Sequence, residues 1–112
     1  MKPYSILMTV WAKDKPEHLA LSLQSMLDQT VLSDDLVLVQ DGPLTPELEQ
    51  VIAHFRTVSP ALHPIPLPEN VGLGAALNAG LTQCRHDLVA RMDADDISLP
   101  GRCAQQLAAF EA

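Results

Sequence analysis

The chain is short of basic residues: 7 Lys and Arg stand against 14 Asp and Glu, a formal net charge of −7 over 112 residues. Nucleic acid is held largely through cationic contacts to phosphate, so this balance excludes it as a partner. An anionic ligand would need a cation between it and these acids. No run approaches the ~18 apolar residues of a membrane span, so no transmembrane segment is expected. The opening Met1, Lys2, Pro3 and Tyr4 lead into an apolar run too short for a signal peptide with its cleavage site. A cytosolic chain is expected, or one on the cytosolic side of a membrane. Only two cysteines occur, Cys84 and Cys103, without metal-type spacing, and they read as free structural thiols rather than zinc ligands or a disulfide. His18, His54, His63 and His86 are scattered and read as surface residues. There is no internal repeat, and the one biased tract is a proline-rich stretch at 59–69.

What is present is an ordinary globular composition, 47% hydrophobic and 19% charged, at a length that suits one domain. Residues 5–10 (SILMTV) are an uncharged apolar run with β-branched members, which predicts a central parallel strand. Asp14, Lys15, Pro16 and Glu17 have the form of a capping box, Asp14 accepting from the backbone three residues on and Glu17 reaching back. The helix predicted from there carries Leu19, Leu23, Met26 and Leu27 on one face, with Gln24 and Asp28 turned away. Residues 36–39 (LVLV) predict a second buried strand ending at Gln40 and Asp41. Thr45 then serves as an N-cap before Pro46 and the apolar stripe Leu48, Val51, Ile52 and Phe55. Pro60, Pro64, Pro66 and Pro68 confine any strand near 62–67 to an edge.

Residues 70–74 (NVGLG) open a helix to about Gln83, in which Ala75, Ala76 and Ala79 permit close approach. Its two early glycines suit either a turn or backbone contact with a ligand, and Asn78 and Gly80 run against helix propensity. Residues 88–92 predict a fourth strand, and 100–111 a last helix with Leu107 and Phe110 inward. Strands alternating with amphipathic helices imply βαβ units, a parallel sheet and right-handed crossovers. In such sheets ligands bind beyond the carboxyl ends of the strands.

The fourth strand runs into three carboxylates, Asp93, Asp95 and Asp96, within LVARMDADDISLP (88–100). If the extended conformation persists, Asp93 and Asp95 leave the sheet on one side and aim two hard oxygen ligands at one spot. That pattern suits a metal ion or a sugar hydroxyl. The same residues also read as a polar loop with a helix N-cap at Ser98, since acids favour a first turn. Thr9 and Asp41 lie at the matching ends of the first and second strands, so three distant segments converge on one edge of the predicted sheet.

Four segments, in order and covering almost the whole chain, resemble the family 2 glycosyltransferases. They are SILMTVWAKDKPEHLALSLQSMLDQT, LVLVQDGPLT, ENVGLGAALNAGL and LVARMDADDISLPGR. The resemblance implies an α/β fold of the Rossmann-like GT-A half, a mostly parallel sheet of about four strands flanked by helices. It makes residues 1–112 a single nucleotide-sugar-binding GT-A domain fragment. The implied activity is transfer of a sugar from a nucleotide-diphosphate sugar, UDP-sugar first, to a hydroxyl of a saccharide or lipid-linked acceptor, with inversion. By the same resemblance Asp95 is the principal ligand of a Mn2+ or Mg2+ ion bridging the diphosphate, and Asp93 contacts the ribose or supports the metal. Asp41 meets the base, Thr9 lines the base pocket, and Arg91 neutralises acids or meets the diphosphate; Asp96 receives no role. Carboxylates suit these hard ions better than zinc, and a cation there stabilises charge growing on the departing diphosphate.

The chain departs from the family pattern at Gln40-Asp41, where two acids are common, and at Leu77, where an arginine is common. The family's catalytic base and acceptor-binding half are expected beyond residue 112, so donor binding with little or no turnover is expected of this chain alone. A sheet cut short exposes an apolar edge or face, which makes homo-oligomers through that surface an expected hazard. In a longer protein the expected place is the cytoplasm, including the cytosolic face of a membrane. Two other classes stay in view. A haloacid-dehalogenase-type phosphatase also places Asp-x-Asp after a buried strand, one Asp as nucleophile, though after the first strand rather than the fourth. The other is a non-catalytic nucleotide-binding domain.

Overall fold

The computed structural model describes residues 3–94 and 100–111. Its elements follow as β1 (Ser5–Val10), α1 (Pro16–Leu27), β2 (Asp35–Gln40), α2 (Pro46–Val58), β3 (Leu62–Pro66), α3 (Leu73–Leu81), β4 (Val89–Asp93) and α4 (Arg102–Glu111). The strands form one sheet in the order β3-β2-β1-β4, and every neighbouring pair is parallel. This is the α/β architecture that the alternation of strands and helices predicts. The two uninterrupted apolar strands, β1 and β2, take the middle.

Their apolar runs are continuous because both faces of the sheet are covered. Ile6, Met8 and Val10 of β1 and Leu36 and Leu38 of β2 join Leu19, Leu23 and Met26 of α1 and Leu48, Ile52 and Phe55 of α2 in one core. The alternate residues, Leu7, Val37 and Val39, pack on the other face with Ala76 and Leu77 of α3. Gly80 explains itself here. A Cβ at that position would overlap Leu7 Cδ1 and stand 2.7 Å from Val39 Cγ2, so α3 rests on the sheet where a side chain is missing. That packing outweighs the ~1 kcal/mol of helix propensity that glycine forfeits.

β3 is the edge strand the prolines demand. Leu67 N donates to Gln40 O at 2.9 Å, so by alternation the odd-numbered N–H groups point at β2 and the even-numbered positions point outward. Pro64 and Pro66 therefore sit where no donor is required. At α2, Thr45 Oγ1 accepts from Leu48 N at 3.3 Å, with Pro46 in the first turn.

The capping box expected at α1 does not form. Lys15 is the N-cap and makes no side-chain cap bond, while the Asp14 carboxylate accepts from Trp11 N at 3.0 Å. The turn at 11–14 is closed from both sides, since Asp14 N also donates to Trp11 O at 3.0 Å, and this draws the carboxylate back toward β1. α3 starts at Leu73 rather than at residue 70, because Gly72 has φ 90° and cannot belong to the helix. α4 starts at Arg102. Asp95, Asp96 and Ser98 lie outside the described residues, as do the side chains of Leu107 and Phe110. Cys84 and Cys103 are free thiols. Among the described residues no helix is long and apolar enough to cross a membrane.

The amino ends of the strands carry a polar lock, and His86, expected at the surface, takes part in it from a partly exposed position. Asp35, 1% exposed, accepts from Ser5 Oγ at 2.6 Å and from Arg85 N at 2.8 Å. His86 N donates to Ser5 Oγ at 3.2 Å, and its ring Nε2 lies 2.7 Å from Asp34 Oδ1. That hydrogen bond, helped by the charges of His86 and Arg85, holds the Asp34 carboxyl below its ordinary range. Burial, then the charge of Asp35, pushes the neighbouring Cys84 thiol up. The starts of β1 and β2 are thus tied to the loop before β4. The carboxyl ends of the strands stay open.

Candidate functional site

Thr9 pairs with Val39 on one side and with Asp93 on the other, and Asp41 N donates to Val10 O at 2.8 Å. Parallel register therefore delivers the ends of β1, β2 and β4 to one edge. A cavity of about 400 Å³ lies there. Thr9, Val10, Trp11 and Asp14 line it from the end of β1; Asp41 and then Asn70, Gly72 and Leu73 line it from β2 and the lead-in to α3; Asp93 and Ala94 complete it. Val10, Trp11 and Leu73 give it apolar surface, and three carboxylates face it. Trp11 is 42% exposed, with Lys13 Nζ 5.5 Å from its ring centre, within cation–π range.

Asp41 is only 7% exposed, and both carboxylate oxygens have partners. Oδ1 accepts from Val71 N at 2.8 Å, and Oδ2 accepts from Asn70 Nδ2 at 3.2 Å. Asn70 Nδ2 also lies 3.3 Å from the Asp41 carbonyl oxygen. The next residue, Gly42, has φ 90°, and a Cβ there would stand 2.7 Å from Asn70 N. Two backbones meet at this point with no room for a side chain between them.

Of the residues singled out in the sequence, Thr9, Asp41 and Asp93 come together around the cavity. Arg91 lies two residues before Asp93 on the same strand face, exposed, and does not line the cavity; its carbonyl accepts from Arg102 Nη2 at 2.9 Å. Asp95 lies outside the described residues. Among the described residues no group of three or more His, Cys, Asp or Glu is arranged to hold a metal. The donors that face the cavity are carboxylates without cysteine or histidine. Such a set fits a hard ion like Mg2+ or Mn2+, which takes one or two carboxylates and completes its shell with water and phosphate. Trp11, Asp14 and Asn70 are lining residues that the sequence reading left out. Trp11 and Asp14 immediately follow β1, so the strand-end rule had marked their place; the contact of Asn70 with Asp41 spans 29 residues and has no local signal.

Residues 5–112 match the family model described as glycosyl transferase family 2. The chain belongs to this family. It is 45% identical over 108 residues to the amylovoran biosynthesis glycosyltransferase AmsE of Erwinia amylovora, covering 96% of the chain and 40% of that protein. It is 44% identical over 99 residues to the UDP-Gal:alpha-D-GlcNAc-diphosphoundecaprenol beta-1,3-galactosyltransferase of Escherichia coli, covering 88% and 36%. The chain spans about 40% of the length of these relatives. Among solved structures, S. aureus TarS 1-349 in complex with UDP superposes with a TM-score of 0.83 at 21% identity, over 98% of the chain and 32% of TarS 1-349. The mannosyltransferase PcManGT from Pyrobaculum calidifontis, in complex with GDP-Man and Mn2+, gives 0.79 at 20% identity, over 95% and 31%. These structures share the fold. Membership of glycosyl transferase family 2 removes the phosphatase reading of the acid pair.

Proposed function

We propose that this chain is the donor-binding part of a glycosyltransferase. It takes a sugar from a nucleotide-diphosphate sugar, UDP-sugar first, and passes it with inversion to a hydroxyl of a saccharide or lipid-linked acceptor. The observation that carries this reading is the convergence of Thr9, Asp41 and Asp93 on one cavity with apolar walls. The base lies in that cavity against Trp11, with Thr9 beside it and the Asp41 carboxylate accepting from a ring N–H. Uracil and guanine both carry such an N–H. Asp93 receives the ribose hydroxyls or supports a metal whose principal ligand is Asp95, and Arg91 neutralises acids or meets the diphosphate.

The acids around the cavity would repel a bare diphosphate, so the donor needs a cation with it. Mn2+ or Mg2+ supplies stabilisation of the charge that develops on the leaving diphosphate. Relatives support the substrate class: one is named for a UDP-Gal donor and a diphosphoundecaprenol-linked acceptor, and structures of the same fold hold UDP or GDP-Man with Mn2+. In this reading the catalytic base and the acceptor site belong to other parts of a longer protein at the cytosolic face of the membrane. The chain by itself binds donor without transferring sugar. A non-catalytic nucleotide-binding role draws on the same cavity, and sugar transfer by the full-length protein separates the two.

Calorimetric titration with UDP and GDP, with and without Mn2+, is the direct test. Metal-dependent binding that disappears in Asp95→Ala is the expected result. Binding of neither nucleotide under any of these conditions would overturn the assignment, and robust sugar transfer by the 112-residue chain alone would overturn the division of labour.

A further inference from the structure

We propose that Asp41 is a positioning residue for the cavity: through Asn70 and Val71 it clasps the lead-in to α3 and so sets the wall that faces the strand ends. This rests on the nucleotide reading of the cavity and extends it. Hydrogen bonds to an ionised carboxylate are stronger than neutral ones, and Asp41 has two, one from a side chain and one from a backbone N–H. Gly42 adds the second half of the seat, since its missing side chain lets the backbone of residue 70 come down beside it. Directly after the clasp come Gly72 and Leu73, which line the cavity, and the first turn of α3. No side chain caps α3. The position of this wall therefore depends on what holds residues 70–71. A carboxylate has about four acceptor sites, so the clasp leaves capacity for a ligand N–H and orients the carboxylate toward it.

The test uses a donor–acceptor exchange in the full-length protein. Asp41→Asn keeps an oxygen for Val71 N but loses the charge that strengthens that bond and turns an NH2 toward the Asn70 amide, and Asn70→Asp sets two carboxylates together. In the double variant the amide introduced at position 41 still accepts from Val71 N through its oxygen, while its NH2 donates to the carboxylate introduced at position 70. Two quantities are read: hydrogen exchange at the Val71 amide without ligand, and UDP affinity with Mn2+. Each single variant is expected to speed Val71 exchange and weaken UDP binding by about tenfold or more, and the double variant to recover Val71 protection and part of the affinity, the share owed to the carboxylate's direct contact with the base staying lost. Asn70→Ala, which brings no like charges together, replaces any single variant that fails to fold.

Unchanged Val71 exchange in the single variants would overturn the clasp. No recovery of affinity over Asp41→Asn in a double variant that has regained Val71 protection would overturn the positioning role and leave Asp41 as a direct contact alone. If the unsubstituted protein binds neither UDP nor GDP, the nucleotide reading falls, and the positioning role with it. That failure is distinguishable, because exchange is measured without ligand.

Discussion

The hydroxyl of Ser22, on α1, donates to the carbonyl oxygen of Ala94 at 2.7 Å, across 72 positions of chain. Both groups are buried, and Ala94 directly follows Asp93. A helix on one face of the sheet thereby holds the end of β4 where it meets the cavity. Ser22→Ala removes the donor from a buried carbonyl and is expected to cost about 1–3 kcal/mol of stability. UDP affinity should fall with it, as the end of β4 loses its anchor. Urea unfolding and calorimetry check the two effects; full stability in the variant would show that the bond is dispensable.

Gly80→Ala tests how closely α3 rests on the sheet. Alanine favours helix by about 1 kcal/mol over glycine, and overpacking a dense core costs typically 1–3 kcal/mol. Leu7 and Val39, the residues its Cβ would meet, are almost wholly buried and have little room to move. A net loss of about 1 kcal/mol in urea unfolding is expected. A gain would mean that α3 stands further from the sheet than described.

Asp34 should leave a signature in acid. Its hydrogen bond with His86 lowers its carboxyl from the ordinary 3.8 in the folded chain. A carboxyl with a depressed folded pKa contributes stability that is fully present above the unfolded value and lost as the pH falls through the folded one. The stability difference between the protein and Asp34→Asn should therefore shrink as the pH falls below about 3.8. Denaturant midpoints over a pH series measure it, and a difference independent of pH would count against the pairing.

Asp93→Asn separates binding from folding. Asp93 is only half-buried, at the last position of β4. The variant is expected to weaken Mn2+-dependent UDP binding by about tenfold or more, while unfolding shifts by no more than about 1 kcal/mol. Chelation of the metal should bring protein and variant to the same low affinity. A variant that binds UDP with Mn2+ as tightly as the unsubstituted protein would remove Asp93 from the site.

Much of the fold is legible in the chain. Four strands and four helices follow from apolar periodicity, β3 is an edge strand because prolines punctuate it, and Thr45 caps α2 as its residue type suggests. The errors also have causes. Asp14 has the look of the first member of a capping box because that pattern is one of spacing alone, yet its carboxylate accepts from Trp11 N. The pairing of His86 has no local signal, because Asp34, its partner, is 52 positions away. Gly80 reads as out of place because its reason lies on β1 and β2.

By itself the sequence determined the alternation of elements, the buried middle of the sheet and the placement of acids at strand ends, since hydrophobic period and the backbone preferences of proline and glycine act locally. Tertiary structure alone decided which polar groups meet: Thr9 beside Asp93, Asp35 with Ser5, and Asp41 with Asn70 and Val71. Those contacts depend on strand order and register, and a bond between groups about thirty residues apart exists only once the sheet has brought their backbones together.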